Sequence, residues 1–275
     1  MVKARLGRQS RVGHLGTLDP FATGVLPILV GEGTKLANFL QEGEKEYYGL
    51  IVLGTETDTL DPTGCVKRTA RVPALDEQAL CALASRFSGK IEQTPPIFSA
   101  LKRDGVPLYK LARRGSEVAP PAPRQVEIKR LKLALEEPAR LRFEVVCSPG
   151  MYVRSLARDL GVALGSAAHL AELRRLRNGA FSVEQAVPLA VALTRLERAD
   201  GTGLIGLRDA LPGLPEVVVE TRVARRLRDG DSRALDGLNP RAAGRFKVVV
   251  GGELLAIAEP TSRVTATIGR IFNPA

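Results

Sequence analysis

The first group in this sequence with a setting for chemistry is the carboxylate of Asp19, in the run Gly-His-Leu-Gly-Thr-Leu-Asp-Pro at 13–20. Glycine allows the backbone to turn tightly or to approach a ligand closely. The following Pro20 disfavours helical geometry at Asp19, so we expect the aspartate on a loop. A carboxylate there can act as a nucleophile or a base. Composition alone favours another interpretation, in which the aspartate caps a glycine-rich turn.

The elements that must position this loop are predicted from the spacing of apolar residues. Alternation indicates two paired strands, and in the first of them the alternation slips once between Ile128 and Leu131. Helical spacing begins directly after the second strand, with Val153 on the apolar face and Arg154 off it. An earlier helix has Asp76 as its candidate N-cap. The predicted helices cover 34–41, 73–87 and 153–164, and the predicted strands cover 47–54, 126–135 and 141–147.

The C-terminal part of the chain is expected to form a small β-rich domain after a proline-containing linker at 211–215. Gly251 and Gly252 lie between two apolar stretches, which is a signal for a tight hairpin. A domain of roughly 60 residues is large enough to fold by itself. The predicted strands are 217–219, 246–250, 254–258 and 264–268. We therefore divide the chain into domains at 1–212 and 213–275.

The composition of the 275 residues favours a protein with a polyanionic partner. Hydrophobic residues make up 44% of the chain, which supports a core and argues against disorder. The net charge of +10 suits binding to phosphates, although a surplus of surface arginine would give the same value. The three cysteines lack the spacing of a disulfide framework or a zinc site. No stretch is long and apolar enough for a membrane span or a signal peptide, so a cytoplasmic location is expected.

The run at 13–27, which continues the glycine-rich stretch with Phe-Ala-Thr-Gly-Val-Leu-Pro, resembles the signature of the TruB family of tRNA pseudouridine synthases. The match is long and specific, and further stretches resemble family segments in the same order. These stretches are 45–47, 55–61 with Gly64, 95–102 with Gly105, Leu108, Tyr109, Ala112 and Arg113, 150–156, and 173–176. The resemblance covers nearly all of 8–187. The C-terminal part resembles a PUA domain, a small RNA-binding β-barrel, in a more diffuse way.

The resemblance implies both a fold and a reaction. The fold is α+β, with a mixed central sheet flanked by helices and a small C-terminal PUA-like β-barrel. The reaction isomerises uridine 55 in the T arm of tRNA to pseudouridine, so that a C–N glycosidic bond breaks and a C–C bond to the same base forms. Because atoms and oxidation state balance, no cofactor, metal or ATP is expected. The expected partner is tRNA, with no obligate protein partner and no membrane, and the protein is expected to be a monomer.

By the same resemblance Asp19 is the catalytic carboxylate, which reverses the interpretation from composition. Arg154 would pair with it, since an adjacent guanidinium favours the charged form of a carboxylate. Tyr47 would stack on the target base with its hydroxyl near the reacting carbon, while Tyr48 faces the other side of the strand. Without the family, Arg154 would be a solvated helix residue and Tyr47 an ordinary strand aromatic. Whether Asp19 attacks the sugar, attacks the ring or removes a sugar proton stays open.

RNA binding is assigned to a second set of residues. The target base must leave its stack, and His14 would fill the vacated space; a surface loop histidine is the alternative. The insertion at about 95–125 is basic, with nine lysines and arginines against three acids between Lys102 and Lys132. That charge suits grip on an RNA backbone, and a solvated face is again the alternative. The predicted RNA-binding residues are His14, Lys102, Arg113, Arg114, Tyr152, Arg174 and Arg175.

Other functions stay open because of the first residues of the sequence. Family members carry a strand and a Lys-Pro-x-Gly turn upstream of the helix that leads into the glycine-rich run, and Met1 falls inside that helix. We therefore expect the sheet to lack that strand, which favours a non-catalytic tRNA binder or folding chaperone. The presence of Asp19, Tyr47 and Arg154 favours an active enzyme. The insertion argues against a guide-RNA-dependent relative that acts on ribosomal RNA, and the motif set argues against a basic structural protein of the ribosome.

Overall fold

A computed structural model describes residues 1–7, 9–114, 118–236, 238, 244–261 and 265–273. The α-helices are α1 (Val2–Leu6), α2 (Ala37–Leu40), α3 (Glu77–Arg86), α4 (Leu108–Arg113), α5 (Val153–Ala163), α6 (Leu189–Glu197) and α7 (Thr221–Arg228), with 3-10 turns at Gly31–Leu36 and Ser232–Leu235. The first strands are β1 (Val12–His14), β2 (Thr23–Gly24), β3 (Ile28–Val30), β4 (Lys45–Leu53), β5 (Thr55–Thr57), β6 (Val66–Thr69), β7 (Gly89–Gln93), β8 (Lys102–Arg103) and β9 (Val106–Pro107). The later strands are β10 (Arg124–Glu137), β11 (Arg140–Cys147), β12 (Ala168–Asn178), β13 (Phe181–Ser182), β14 (Glu216–Val218), β15 (Phe246–Val250), β16 (Glu253–Pro260) and β17 (Ala266–Ile271).

These elements divide between two compact units. The sheet unit comprises Leu18–Val25 and Glu42–Glu184. The terminal unit comprises Met1–Thr17, Leu26–Gln41 and Gln185–Ala275. The division into domains at 1–212 and 213–275 stays a prediction. No helix among the described residues is both long and apolar enough to cross a membrane.

The sheet unit is built on a mixed sheet with the strand order β13-β12-β4-β11-β10-β7. Neighbours on that path are antiparallel, and β2 joins β12 in parallel. The predicted mixed sheet of an α+β fold is therefore confirmed. The predicted pairing of β10 with β11 is confirmed as well, and the slip in apolar alternation is a β-bulge between Ile128 and Arg130.

One face of this sheet carries the core of the unit. Because strand side chains alternate, every second residue of β4 and β11 points into it, among them Tyr47, Ile51 and Phe143. Helices α3 and α5 pack on the same face through residues such as Leu80 and Leu156. The apolar spacing that predicts these two helices is therefore the spacing of their buried faces.

The starts of the two helices follow from local chemistry. The side chain of Asp76 accepts a hydrogen bond of 2.7 Å from the backbone N–H of Ala79, which confirms the predicted N-cap. Helix α3 therefore begins at Glu77, four residues later than the predicted start at 73. Helix α5 begins at Val153, as predicted, directly after the turn that ends β11.

The opposite face of the sheet carries a network of ion pairs. It joins side chains near or on β4, β10, β11 and β12 with distances between 2.6 and 4.0 Å, apart from one closer pair. Its basic members are Lys129, Arg130, Lys132, Arg140, Arg142 and Arg177, and its acidic members are Glu44, Glu46, Glu136, Glu137, Glu144 and Glu172. Exposed ion pairs stabilise a fold only slightly. The main consequence is that the network, as a set, is electrically neutral.

In the terminal unit, strands β14 to β17 form a four-stranded sheet in that order. Strands β15 and β16 form the predicted hairpin around Gly251 and Gly252, and β14 pairs with β15 in parallel. Helix α7, which the sequence did not predict, packs Ala224 and Leu227 into the core of this sheet. Within the described residues the sheet is open and forms no closed barrel. The predicted strand at 264–268 begins outside the described residues, and the structure places its described part in β17, which starts at Ala266.

Candidate active site

The loop that carries Asp19 is tied to strand β12 by its own backbone. The carbonyl of Asp19 accepts a hydrogen bond of 2.9 Å from the N–H of Ala22, and the N–H of Val25 donates one of 2.9 Å to the carbonyl of Arg175. Gly24, directly before Val25, has a φ of +102°, and a Cβ at this position would lie 2.1 Å from the carbonyl oxygen of Arg175. Only glycine fits this close approach. The expectation that Asp19 lies on a loop is confirmed.

Asp19 and Arg154 form a bidentate ion pair. The Nε of Arg154 donates to Oδ2 of Asp19 and its Nη2 donates to Oδ1, each at 2.8 Å. This fork geometry fixes the plane of the carboxylate as well as its distance. Arg154 lies in the first turn of α5 and is only 5% exposed, so it is not a solvated helix residue.

The remaining donors of Arg154 also meet acceptors inside the sheet unit. Its Nη1 donates to the carbonyl of Thr59 at 2.9 Å, and its Nη2 donates to the carbonyl of Phe98 at 3.0 Å. A buried guanidinium is costly unless its donors are satisfied. These hydrogen bonds satisfy the donors of the buried guanidinium. They hold Arg154 to the β5–β6 turn and to the insertion as well as to the Asp19 loop.

A second carboxylate, Asp61, lies on the other side of Arg154. Its Oδ2 is 3.7 Å from Nη1 of Arg154, and its Oδ1 accepts three hydrogen bonds of 2.6 to 2.9 Å from Thr59 and Thr63. This turn resembles a family segment, but the resemblance did not assign a role to Asp61. The signal for it in the sequence is a carboxylate spaced two residues from a threonine on either side. The side chain of Asp61 is 6% exposed and that of Asp19 is 29% exposed. Asp19 is therefore the carboxylate that a substrate can reach.

The guanidinium of Arg154 lies between these two carboxylates. No group of three or more His, Cys, Asp or Glu side chains in the described part of the chain is placed to hold a metal ion. Arg154 therefore supplies the positive charge between the two carboxylates, and an arginine binds carboxylates with fixed directions.

Tyr47 lies on β4 and is 7% exposed. Burial raises the pKa of its phenol to about 12, with further increases from Cys147 and Asp19, while Arg175 acts in the opposite direction through its charge and a hydrogen bond. The phenol is therefore protonated at neutral pH. Tyr48 faces the other side of the sheet, as predicted, where an arginine lies 5.3 Å from its ring.

The insertion presents the predicted RNA-binding residues Lys102, Arg113 and Arg114 at the surface of the sheet unit. The guanidinium of Arg113 lies 5.8 Å from the ring of Tyr109. Within the described residues, none of these three side chains makes an ion pair, in contrast to Lys129, Arg130 and Lys132 of the same basic stretch. The stretch therefore divides into an unpaired part in the insertion and a paired part on β10; residues 115–117 lie outside the described residues.

Tyr152 lies at the start of α5 and is half-buried. Its backbone is fixed by Gln93, which accepts from the Tyr152 N–H at 2.8 Å and donates to the Tyr152 carbonyl at 3.1 Å. The guanidinium of Arg124 lies 4.8 Å from the Tyr152 ring. This arrangement joins the insertion to the residues directly before Arg154.

The last three predicted RNA-binding residues differ in their surroundings. Arg174 is exposed on β12. Arg175 is 1% exposed, and its Nε donates to the carbonyl of Val25 at 2.8 Å, so its side chain is bound inside the sheet unit. His14 is exposed at the end of β1 in the terminal unit, and its proposed place in the RNA stack stays a prediction.

Two family profiles match this chain. Residues 3–153 match the profile described as TruB family pseudouridylate synthase (N terminal domain). Residues 154–204 match the profile described as tRNA pseudouridylate synthase B C-terminal domain. The first match contains Asp19 and Tyr47, and the second begins at Arg154.

Curated relatives are similar over almost the whole chain. The tRNA pseudouridine synthase B of Geobacter sulfurreducens is 42% identical, over 97% of this chain and 91% of the relative. The protein of the same name from Aromatoleum aromaticum is 44% identical, over 98% of this chain and 86% of the relative. Among solved structures, a chain of a Cbf5-Nop10-Gar1 complex has a TM-score of 0.70 and 23% identity, over 99% of this chain and 79% of that chain. At that identity the structural match shows the fold alone.

Proposed function

Because the chain belongs to the TruB family of pseudouridylate synthases, we propose that it isomerises uridine to pseudouridine in the T arm of tRNA, at nucleotide 55. The bidentate pair of Asp19 with Arg154 is the observation that carries this proposal, because it joins two distant parts of the sequence at one partly exposed carboxylate. The reaction breaks the bond from the sugar C1′ to N1 of the base and forms a bond from C1′ to C5. The C5 proton leaves and N1 gains a proton, so atoms and electrons balance without a redox partner.

Asp19 supplies the reactive carboxylate in this proposal. Each of its oxygens accepts one hydrogen bond from Arg154, and a carboxylate oxygen can accept more than one. Each oxygen therefore keeps a lone pair for attack on the sugar or the ring, or for removal of a proton. Arg154 fixes the direction of that lone pair, since its fork leaves the carboxylate only one plane.

Tyr47 is proposed to bind the base as a neutral phenol. With a pKa of about 12, roughly one molecule in 10⁵ is ionised at pH 7. The ring offers a stacking surface and the hydroxyl offers a hydrogen bond near the reacting carbon. A neutral phenol beside the charged carboxylate of Asp19 adds no repulsion to the site.

The RNA is proposed to be held by the unpaired basic residues of the insertion, Lys102, Arg113 and Arg114. Their charges face solvent, and arginine beside an aromatic ring suits a folded RNA backbone. Tyr152, Arg174 and His14 complete the proposed RNA contacts, with His14 filling the space that the extruded base leaves.

The sheet of β14 to β17 is proposed to belong to a PUA-like RNA-binding module. Support comes from α7, whose outward side carries Arg222, Arg225, Arg226 and Arg228 beside this sheet. Within the described residues only Arg226 of these four makes an ion pair, at 2.7 Å to Asp231. Unpaired arginines on one helix face suit phosphates. We further propose that the protein acts as a monomer on tRNA without an obligate protein partner.

The experiment is a tritium-release assay on an unmodified tRNA transcript labelled at C5 of uridine. Release by the wild type, no release by Asp19→Asn, and full release by Asp76→Asn are the expected results. Asp76→Asn is the matched control, because asparagine is as good an N-cap as aspartate at the start of α3. A transcript with cytidine at position 55 is expected to release nothing.

Two outcomes would contradict the proposal. A wild type that binds the transcript without releasing tritium would be a tRNA binder and not a synthase. Equal release by the wild type and Asp19→Asn would remove Asp19 from the chemistry.

A further inference from the structure

Among the described residues, Arg175 has the largest fully buried side chain. A guanidinium has five N–H donors and stays charged, so burial is costly unless the donors find acceptors. One donor, Nε, binds the carbonyl of Val25 at 2.8 Å. Arg175 is also the partner of Tyr47 in the register of β4 with β12, and it lowers the pKa of the Tyr47 phenol against the larger effect of burial. Both contacts belong to the surroundings of Asp19, which a side chain devoted to RNA contact would not require.

The backbone of Arg175 also binds the segment at Gly24 and Val25. Gly24 pairs with Arg175 in the parallel bridge of β2 with β12, and Val25 donates to the Arg175 carbonyl at 2.9 Å. Val25 is therefore bound twice by one residue, through its N–H and through its carbonyl. These two hydrogen bonds fix the position of the chain six residues after Asp19.

The place of Arg175 beside Tyr47 in the sheet is suited to setting the direction of the phenol. Tyr47 and Arg175 are partners in the register of β4 with β12, so their positions are fixed by the sheet. Because arginine only donates, a hydrogen bond from Arg175 would take up a lone pair of the phenol oxygen and leave the phenol proton to point elsewhere. The other titratable groups that influence Tyr47 are Cys147 and Asp19, and neither is a strong hydrogen-bond donor.

We propose that Arg175 is a positioning residue that sets the hydroxyl of Tyr47 relative to the carboxylate of Asp19. It joins the two because it is the register partner of Tyr47 on β4 and its Nε binds the segment that follows Asp19. This inference rests on the proposed function. It assigns Arg175 to the alignment of the base, and it replaces the direct RNA contact expected from the sequence.

The test is a double-mutant cycle on the single-turnover rate of tritium release. Arg175→Met is expected to lower the rate about 10²-fold, the typical cost of a misplaced reacting group, with the Kd for tRNA changed less than threefold. In a Tyr47→Phe background the same substitution is expected to cost much less, because the hydroxyl that Arg175 holds is already absent. Arg175→Lys, which can still donate one bond, is expected to recover part of the rate.

Arg177→Met is the matched control, because Arg177 lies on the same strand with its side chain in the ion-pair network. It is expected to keep the wild-type rate. Equal costs of Arg175→Met with and without the Tyr47 hydroxyl would overturn the proposal. A loss of tRNA affinity at an unchanged rate would do so too, because it would indicate an RNA contact. If the methionine variant does not fold, the same cycle is run with Arg175→Lys.

A second measurement does not depend on activity. The chain has four tyrosines and no tryptophan, so the ring-carbon signals of labelled tyrosine are few, and Tyr47→Phe identifies the one from Tyr47. Arg175→Lys is expected to shift that signal and Arg177→Met to leave it in place. No shift with Arg175→Lys would overturn the inference even in a protein that releases no tritium, whereas absence of tritium release with a clear shift would contradict only the proposed function.

Discussion

Arg154 is the residue on which the site depends most, because its three nitrogens meet acceptors on three separate segments of the chain. The acceptors are Asp19, the carbonyls of Thr59 and Phe98, and the carboxylate of Asp61. Lysine has a single ammonium and cannot reproduce a planar fork. We expect Arg154→Lys to lower the single-turnover rate about 10²-fold with little change in the Kd for tRNA.

The control for this change lies one helical turn away. Arg158 is also on α5 and partly buried, and it donates to the carbonyl of Thr94 and to Asp159. Arg158→Lys is expected to keep most of the wild-type rate in the same assay. A similar loss in both variants would indicate that α5 as a whole, and not the Asp19 pair, is disturbed.

Two buried groups beside the site make the stability of the fold sensitive to alkali. Burial raises the pKa of Tyr47 from 10.0 to about 12 and that of Cys147 from 9.0 to about 12. Both hold their protons more tightly in the folded chain than in the unfolded chain. Their stabilisation is therefore complete below pH 9 and is lost as the pH rises toward 12. Lys45, whose pKa burial lowers, acts in the opposite direction and reduces the net effect.

We expect the free energy of unfolding, measured by urea denaturation, to fall as the pH is raised from 9 to 11. Replacing both groups, with Tyr47→Phe and Cys147→Ala, is expected to flatten that fall. Tyr48→Phe is the control, since Tyr48 lies on the other face of the same strand. An equally steep fall in the double variant would assign the effect to other groups.

At the scale of elements, the sequence predicts the helices and strands whose apolar spacing is set by one buried face. Helix α5 keeps its apolar residues on the side that packs on the sheet, and the bulge at Ile128 is visible as a slip in alternation. Strand β12 was not predicted, because its run Ala-His-Leu-Ala-Glu-Leu-Arg-Arg-Leu-Arg-Asn is rich in helix-forming residues. It is a strand because β4 and β13 flank it, which is tertiary information.

The residues of the candidate site also divide into those that could be predicted from the sequence and those that could not. Asp19, Tyr47 and Arg154 were predicted through the family resemblance, since neither spacing nor composition brings them together. The burial of Arg175 could not be predicted, because alternation along β12 is broken by bulges near Leu170 and Arg175. A residue beside such a bulge has no face that the sequence alone assigns.

Strand β2 gives the prediction that belongs to this scale. A Cβ on Gly24 would meet the backbone of Arg175, which cannot move without breaking β12 from β4. We expect Gly24→Ala to displace the segment after Asp19 and lower the single-turnover rate about 10²-fold. Gly89→Ala is the control: Gly89 has a similar φ of +89° but open space around its Cβ position. Both variants carry the strain of a positive φ, so equal losses of activity would rule out the clash as the cause.

At the scale of the whole molecule, the basic residues behind the net charge of +10 differ in how much they can attract RNA. The ion-pair network on the face of the sheet opposite the core has equal numbers of basic and acidic side chains, so it adds little net charge to the attraction of RNA. The insertion and α7 carry basic side chains with fewer acidic partners among the described residues. The positive field that would attract tRNA therefore comes from these surfaces and not from the arginine content as such.

This difference is measured by the salt dependence of tRNA binding. Replacing Lys102, Arg113 and Arg114 together with alanine is expected to weaken binding and to reduce the slope of log K against log salt by roughly 2 to 3, one phosphate contact for each residue. Lys129, Arg130 and Lys132 form the matched control, because their replacement removes the same charge from side chains that are already paired. Their loss is expected to change the slope by less than about 1. If both triple variants reduced the slope equally, total charge alone would govern binding, and the insertion would have no special part in gripping the RNA.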